Sequence, residues 1–366
     1  MRRILTENDV EPAVLGGSVY AAGGGGWASH GRALGYAAVK AGAPELVSID
    51  ELKAQDWVAT AAAIGAPAGT TPWEMRGVDY IKAVQLLNEA LGTPVAGLMV
   101  GQNGKSSTLN AWLPAAILGC KVVDAVGDIR AHPTGDMGSI GMAGSTEQMI
   151  QTAVGGNREQ HRYIELVTRG ATDKISPILR TAADMSGGFI ASARNPLRAA
   201  YVARHAALGG ISMALDLGYT ILKAKPKGGS AILNAILQST QGTILTEGII
   251  SKKSINYTKE AFDVGTITID KGNKAITIHI MNEYMAVDDA QGKRLAGFPD
   301  VITALSDEGH PLSVSELQES MHIHVLHIAK TLIPLGAGVI DPAVYPPVEK
   351  ILGIELANYA LEGIDA

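Results

Sequence analysis

Apolar positions change their spacing along the chain, and the spacing divides it in two. Over residues 78–91, Val78, Ile81, Val84, Leu87 and Leu91 recur at helical intervals, and Gly92 ends the run, which predicts an amphipathic helix. HGRALGYAAVKAG is rich in alanine and good helix formers and ends at Gly42, so it predicts a second helix. ELVSIDEL and WVATAAAIGAP predict short strands, the latter ending at Gly65 and Pro67. VAGLMV predicts a buried strand and KVVDAV the next strand, with a helix expected between them over residues 107–118. Strands alternating with helices indicate a parallel α/β sheet.

The pattern shifts after about residue 150. Residues 154–168 and 194–224 predict helices, the second interrupted at Gly209 and Gly210. KAKPKGG, at 223–229, is a basic turn and a natural seam. From Gly242 onward, ILTEGIISKKSI, VGTITID, AITIHIMNEYMAV and RLAGFPDVITAL predict strands at short spacing, punctuated by the turns DKGNK and DDAQGK. MHIHVLHIA adds another strand, and a Pro-rich tail turns helical. A small antiparallel sheet or barrel is expected there. The expected division is an N-terminal α/β domain over 1–175 and a C-terminal domain over 176–366, helical first and then β-rich.

Composition narrows the function classes. Of 366 residues, 46% are apolar and 18% charged, which is globular composition. The net charge of −6 comes without a basic block, which argues against nucleic acid as a partner. A single cysteine, Cys120, forbids an intrachain disulfide and fits a reducing compartment. MRRILTENDVEP lacks the apolar segment of a signal peptide. The longest apolar stretch, 109–126, is broken by Pro114 and Lys121, so no membrane span is expected. A cytoplasmic protein follows, and the apolar excess favours a homo-oligomer. The 43 glycines are scattered, which implies many tight turns or close backbone approaches.

Five stretches carry candidate chemistry. Gly23, Gly24, Gly25 and Gly26 stand at the mouth of a helix, where backbone N–H groups favour an anion. Their spacing is not that of a dinucleotide fingerprint, and a packing turn is the plain alternative. GQNGKSS, residues 101–107, has the strand–loop–helix layout of a phosphate loop and resembles that of the Mur-ligase type of ATPase. Met99 stands where the full pattern requires glycine. VVDAVGDIRAHPTGDMG places Asp124, Asp128, Arg130, His132 and Asp136 at and beyond the end of a strand, where parallel sheets hold ligands. A solvated loop is the alternative there. His322 and His324 share one strand face, a spacing usable for a metal, although no neighbouring residue in sequence completes a ligand set. Asn282 and Glu283 interrupt an apolar strand, either inside a site or at a wet edge.

These residues together carry a resemblance. AAGGGGWASHGRALG, GAPAGTTPWEMRGVDYIKAVQLLNEALG, LGCKVVDAVGDIRAHP and MNEYMAV with GFPDVITAL resemble, in order, segments of the S-methyl thiohydantoin desulfurase family, a group associated with hydantoinase and oxoprolinase genes. The polyglycine followed by Gly31 and Arg32 is the most specific part. The resemblance implies an N-terminal three-layer α/β sandwich and a C-terminal domain containing a small β-barrel. It also implies a small cyclic substrate, a hydantoin-like ring bearing sulfur, attacked by water at the sulfur-bearing carbon. Asp124, Arg130, His132 and Gln102 are the catalytic candidates. The polyglycine, His30, Arg32, Asn103, Asn282 and Glu283 are the substrate-binding ones. The sequence departs from the family at Gln102–Lys105, at Val126 and at His132. Two other readings stay open: an ATP-binding protein using residues 101–107, and a non-catalytic partner of a hydantoinase. The motifs imply no particular cofactor and leave a divalent metal open.

Overall fold

The computed structural model describes residues 1–65, 73–258, 261–271 and 274–364. The chain enters through β1 (Arg2–Ile4), α1 (Glu7–Tyr20) and α2 (Ala28–Ala41). It continues through β2 (Glu45–Val47), β3 (Trp57–Gly65), α3 (Gly77–Leu91), β4 (Gly97–Gln102), α4 (Trp112–Leu118) and β5 (Lys121–Asp128). Then follow β6 (Met149–Gly155), β7 (Ile164–Gly170), α5 (Thr172–Met185), β8 (Phe189–Arg198), α6 (Ala199–His205), β9 (Ala207–Leu208), α7 (Gly210–Ala224) and α8 (Gly229–Thr240). The remainder is β10 (Thr243–Tyr257), β11 (Asp263–Lys271), β12 (Lys274–Met281), β13 (Glu283–Asp288), β14 (Arg294–Gly297), β15 (Val301–Leu305), β16 (His322–Ile328), α9 (Tyr345–Leu352) and α10 (Ala357–Leu361).

The first sheet runs β1-β2-β5-β4-β3-β8-β6-β7, with β9 paired to β5. Only β2, β5, β4 and β3 are mutually parallel, and every other pairing is antiparallel. The expected parallel sheet is therefore a mixed one with a parallel centre. Both faces of that centre are buried. Leu98, Val100, Val122 and Val126 join a core shared with α1, α3, α4 and α7. Their alternates Met99, Val123 and Ala125 pack with Ile140, Met142 and Val202.

Residues 154–168 are not a helix. Gly155 and Gly156 have φ of 142° and 120°, a region closed to most side chains, and they end β6. Beyond them β7 pairs with β6 from Met149↔Gly170 to Gly155↔Ile164. Ile164 and Leu166 are two apart, a strand period that a helical reading passes over. The stretch 194–224 also begins extended, in β8, and becomes helical only at Ala199. The break at Gly209 and Gly210 lies where the sequence puts it, at the start of α7.

The second sheet is seven antiparallel strands in the order β14-β13-β12-β11-β10-β16-β15. It curls into a half-barrel, and β14 and β15 form its two ends without pairing to each other. AITIHIMNEYMAV is two strands rather than one, because Asn282 takes φ +57° between them. The proposed strand end at Pro67 and the tip of DKGNK, Gly272 and Asn273, lie outside the described residues. Among the described residues no helix is long and apolar enough to cross a membrane.

Candidate active site

Strands β3, β4 and β5 run in one direction, so their carboxyl ends share one edge of the sheet. A cleft opens there, as expected for parallel strands. Gly65 ends β3, Gln102 ends β4, and His132 and residues 133–135 follow β5; all line it. The loop between α1 and α2 brings Gly24, Gly25 and Gly26 to the same place. The half-barrel contributes Asn282 and Glu283, α5 contributes Ser176 and Arg180, and β8 contributes Arg194 and Asn195.

The polyglycine is a close-packed bridge between the two sheets. A Cβ on Gly23 would strike the Tyr284 ring, one on Gly24 the Glu283 carboxyl, one on Gly25 the Gly104 Cα at 2.5 Å, and one on Gly26 the Ser106 hydroxyl. Gly25 and Gly26 also need positive φ, 75° and 81°. Tyr284 N donates to Ala22 O (2.8 Å) and Val314 N to Gly23 O (2.9 Å), which fixes the half-barrel against this loop.

The residues 101–107 loop is turned to the same purpose. Ser106 N and Ser107 N donate to Gly25 O at 2.9 and 3.3 Å, and Gly104 N donates to Thr108 Oγ1 at 3.1 Å. Lys105 Nζ pairs with Glu316 Oε2 at 2.5 Å. Three amides of the loop and its lysine are thus engaged within the protein, which leaves fewer donors for a phosphate there.

Two titratable groups in the cleft have displaced pKa values and unpartnered atoms. Burial pushes the Glu283 carboxyl up to about 8, against the pull of Arg130 and Arg180, and its Oε2 has no hydrogen-bond partner. Burial pushes His132 down to about 4. His132 Nε2 lies 3.2 Å from Gly101 O, a carbonyl that can only accept. The proton of the neutral ring is therefore on Nε2, and Nδ1, which also lacks a partner, presents a lone pair. Gln102 Oε1 accepts from His132 N at 3.0 Å and holds that loop to the end of β4. At neutral pH the cleft thus pairs a protonated carboxylic acid with an unprotonated imidazole.

The structure gathers Gly24, Gly25, Gly26, Gln102, His132, Asn282 and Glu283 around one cleft. Asp124, Arg130, Asn103, Gly23, His30 and Arg32 do not line it, and each has another engagement. Asp124 caps α7, its Oδ1 accepting from Ile211 N and Ser212 N, both at 3.0 Å, and its Oδ2 from Ser212 Oγ at 2.6 Å. Arg130, fully buried, donates to Tyr284 O (3.0 Å), Asp300 O (2.9 Å) and Ala131 O (2.8 Å) and covers the Phe298 ring. Asn103 donates to Gly210 O at 3.0 Å. His30, lowered by burial to about 4, meets Tyr80 OH at 3.2 Å and the edge of Trp73. Arg32 holds Glu11 through two hydrogen bonds, at 2.7 and 2.9 Å.

Sequence reading missed Arg180, Arg194, Ser176 and Asn195. Ser176 and Arg180 are four apart on a helix face, a signal that was present. Arg194 and Asn195 sit in FIASARNPLR, two polar residues inside an apolar strand, hidden once the segment is taken for a helix. The histidine pair of β16 does find a carboxylate: Asp307 Oδ1 lies 2.7 Å from His322 Nδ1 and 3.0 Å from His324 Nε2. This trio, two of its members exposed and His324 half-buried, could seat an ion but is not part of the cleft.

A crystal structure of a protein from Chromobacterium violaceum is similar over 89% of this chain and 91% of that one, at 24% identity and a TM-score of 0.67. That likeness concerns the fold. No curated protein matches the chain. The family model described as the S-Me-THD-like N-terminal domain matches residues 8–165, and that of the S-Me-THD-like C-terminal domain matches residues 171–333. The two cover nearly the whole length, glycine bridge and half-barrel included, and the chain belongs to the S-methyl thiohydantoin desulfurase-like family.

Proposed function

We propose that the protein is a hydrolase of thiohydantoin or S-substituted hydantoin-like rings, releasing thiol or hydrosulfide. The observation that carries this reading is the Glu283–His132 combination: an acid that keeps its proton and a base that lacks one line the same cleft. Family membership supplies the substrate class.

The roles follow from the protonation states. His132 Nδ1 accepts a proton as water attacks the ring carbon bearing sulfur. Glu283 gives its proton to the ring nitrogen, which takes the electron pair of the C=N bond. The intermediate then carries hydroxyl, sulfur and nitrogen on one carbon. As it collapses, the hydroxyl proton returns to Glu283, the C–S bond breaks, and the sulfur takes the proton held by His132. Both groups end as they began, with one water consumed, one carbonyl formed and one thiol released. Arg180 and Arg194 lower the energy of negative charge developing beside them.

Incubating the protein with an S-methyl thiohydantoin and measuring free thiol tests this. Thiol release matched by hydantoin formation supports a hydrolase. Binding without release supports a non-catalytic subunit.

A further inference from the structure

His322 and His324 stand two apart on β16, so they share one face of the half-barrel. Ile323 and Val325 point the other way, into its core. Further along the histidine face, Leu326 and Ile328 join the core that α8 shares through Ile232 and Ile236. The histidines lie beyond that cover, His322 exposed and His324 half-buried.

The fold brings two carboxylates to them from separate elements. Asp307 stands in the turn after β15, and its Oδ1 lies 2.7 Å from His322 Nδ1 and 3.0 Å from His324 Nε2. Glu247, on β10, is the register partner of His324, and its Oε2 lies 3.1 Å from His324 Nδ1. The turn is itself held in place. Gly309 N donates to Ser306 O at 2.8 Å, Ser306 N donates to His310 O at 2.9 Å, and Asp307 O packs against Gly229 at the start of α8. Among the described residues, Asp307, His322 and His324 are the one trio of such side chains whose ligand atoms all lie within 4.8 Å of one another.

Hydrogen bonding alone does not satisfy a neutral His324. A neutral imidazole carries one N–H, yet this ring meets a carboxylate oxygen at both nitrogens. One of the two contacts then sets a lone pair against an anionic oxygen. A cation among His324 Nε2, His322 Nδ1 and Asp307 Oδ1 makes all three atoms ligands and leaves Nδ1–H to donate to Glu247. An outer carboxylate of this kind fixes the tautomer and orientation of a metal-bound histidine. Two imidazoles with one carboxylate suit zinc, whereas magnesium and calcium take oxygen ligands. Zinc bonds of about 2.0–2.2 Å set tetrahedral ligands roughly 3.3 Å apart, so the two histidine–aspartate spacings need to open by only about 0.3–0.6 Å. The solvent side leaves the fourth position to water.

We infer that Asp307, His322 and His324 bind a zinc ion on the outer face of the half-barrel, with Glu247 orienting His324, and that the ion clips the turn after β15 to β16 and β10. Calorimetric titration of zinc chloride into chelator-stripped, tag-free, full-length protein tests this, with magnesium chloride as the comparison. Wild type is expected to take up one zinc ion at this site and to melt at a higher temperature with it, and to do neither with magnesium. His322→Ala and Asp307→Asn each remove an exposed ligand and are expected to weaken zinc binding about tenfold or more. Glu247→Ala keeps all three ligands and is expected to weaken it by about tenfold. Melting in chelator shows that each variant folds, and the wild-type comparison of the two metals stands even if one does not. No zinc binding by wild type, or equal binding of magnesium, overturns the site. Zinc binding that persists undiminished in folded His322→Ala and Asp307→Asn puts the metal elsewhere and overturns it too.

Discussion

Glu283 is the residue whose protonation most directly sets the behaviour of the cleft. Its folded pKa, about 8, lies above the ordinary 4.5. A group raised in this way contributes its full stability below about 4.5 and loses it as pH rises through about 8. Its proposed role as an acid has the same sign, so turnover is expected to fall as pH passes through about 8. Glu283→Gln removes the ionisation. The variant is expected to lose turnover roughly 100-fold or more and to be more stable than wild type at pH 9 by about 1 kcal/mol or more. Thermal melts across pH, beside a pH–rate profile, check both; identical melts for the two proteins at pH 9 would contradict the assigned burial.

The glycines divide at the same scale. A Cβ on Gly24 meets the end of a side chain, the Glu283 carboxyl, and its backbone needs no positive φ. Gly25 has φ of 75° and meets the Gly104 backbone. Gly24→Ala is expected to fold and lose turnover by displacing the carboxyl. Gly25→Ala is expected to lose several kcal/mol of stability, since strain and backbone overlap add. Soluble yield and melting temperature distinguish them. Sequence alone treats the four glycines alike, because what separates them is their neighbours 79 and 259 positions away along the chain, at Gly104 for Gly25 and Glu283 for Gly24.

At the scale of elements, the strand-and-helix alternation up to β5 and the meander after Gly242 were legible in the apolar spacing. The stretch between them was legible in its later helices but not before Ala199. Residues 149–170 form a hairpin whose inner strand is buried on every residue, so the apolar run of β6 has no face to show. Polar residues at strand ends carried the same ambiguity. The sequence places Asp124 at a strand end, as a catalytic residue can be, yet it lies in the middle of β5 and its carboxylate faces the first amides of α7. Asp124→Ala is accordingly expected to cost about 1–2 kcal/mol of stability through the lost cap, with turnover per folded molecule unchanged. A large fall in turnover at full stability would restore Asp124 as a catalytic candidate.

For the whole molecule, the cleft exists only where two sheets meet. Residues 24–26, 102, 132, 176–195 and 282–283 come together because the glycine bridge, Arg130 and Thr303 join the sheets. Thr303 Oγ1 donates to Val19 O at 2.6 Å, and Arg130 reaches two carbonyls of the C-terminal region. Arg130→Ala is expected to cost about 3 kcal/mol from the two charge-assisted hydrogen bonds it makes across the junction, to Tyr284 O and Asp300 O, and to depress turnover only through misplacement of Glu283. Chemical denaturation with an activity titration on the folded fraction measures both; a variant as stable as wild type would contradict the joining role. This dependence on the junction explains why motifs identified Gly24, Gln102, His132 and Glu283 while the arginines escaped. The motif residues stand out locally. The arginines gain meaning only from charges and cavities assembled across the fold.

The measurement closest to the central claim is thiol release from an S-methyl thiohydantoin by wild type and by His132→Ala and Glu283→Gln, each verified as folded. The account predicts one thiol and one hydantoin per turnover in wild type, with release reduced at least about 100-fold in each variant. Release undiminished in both folded variants, or no release from any thiohydantoin by a wild-type protein that binds the ring, would contradict it.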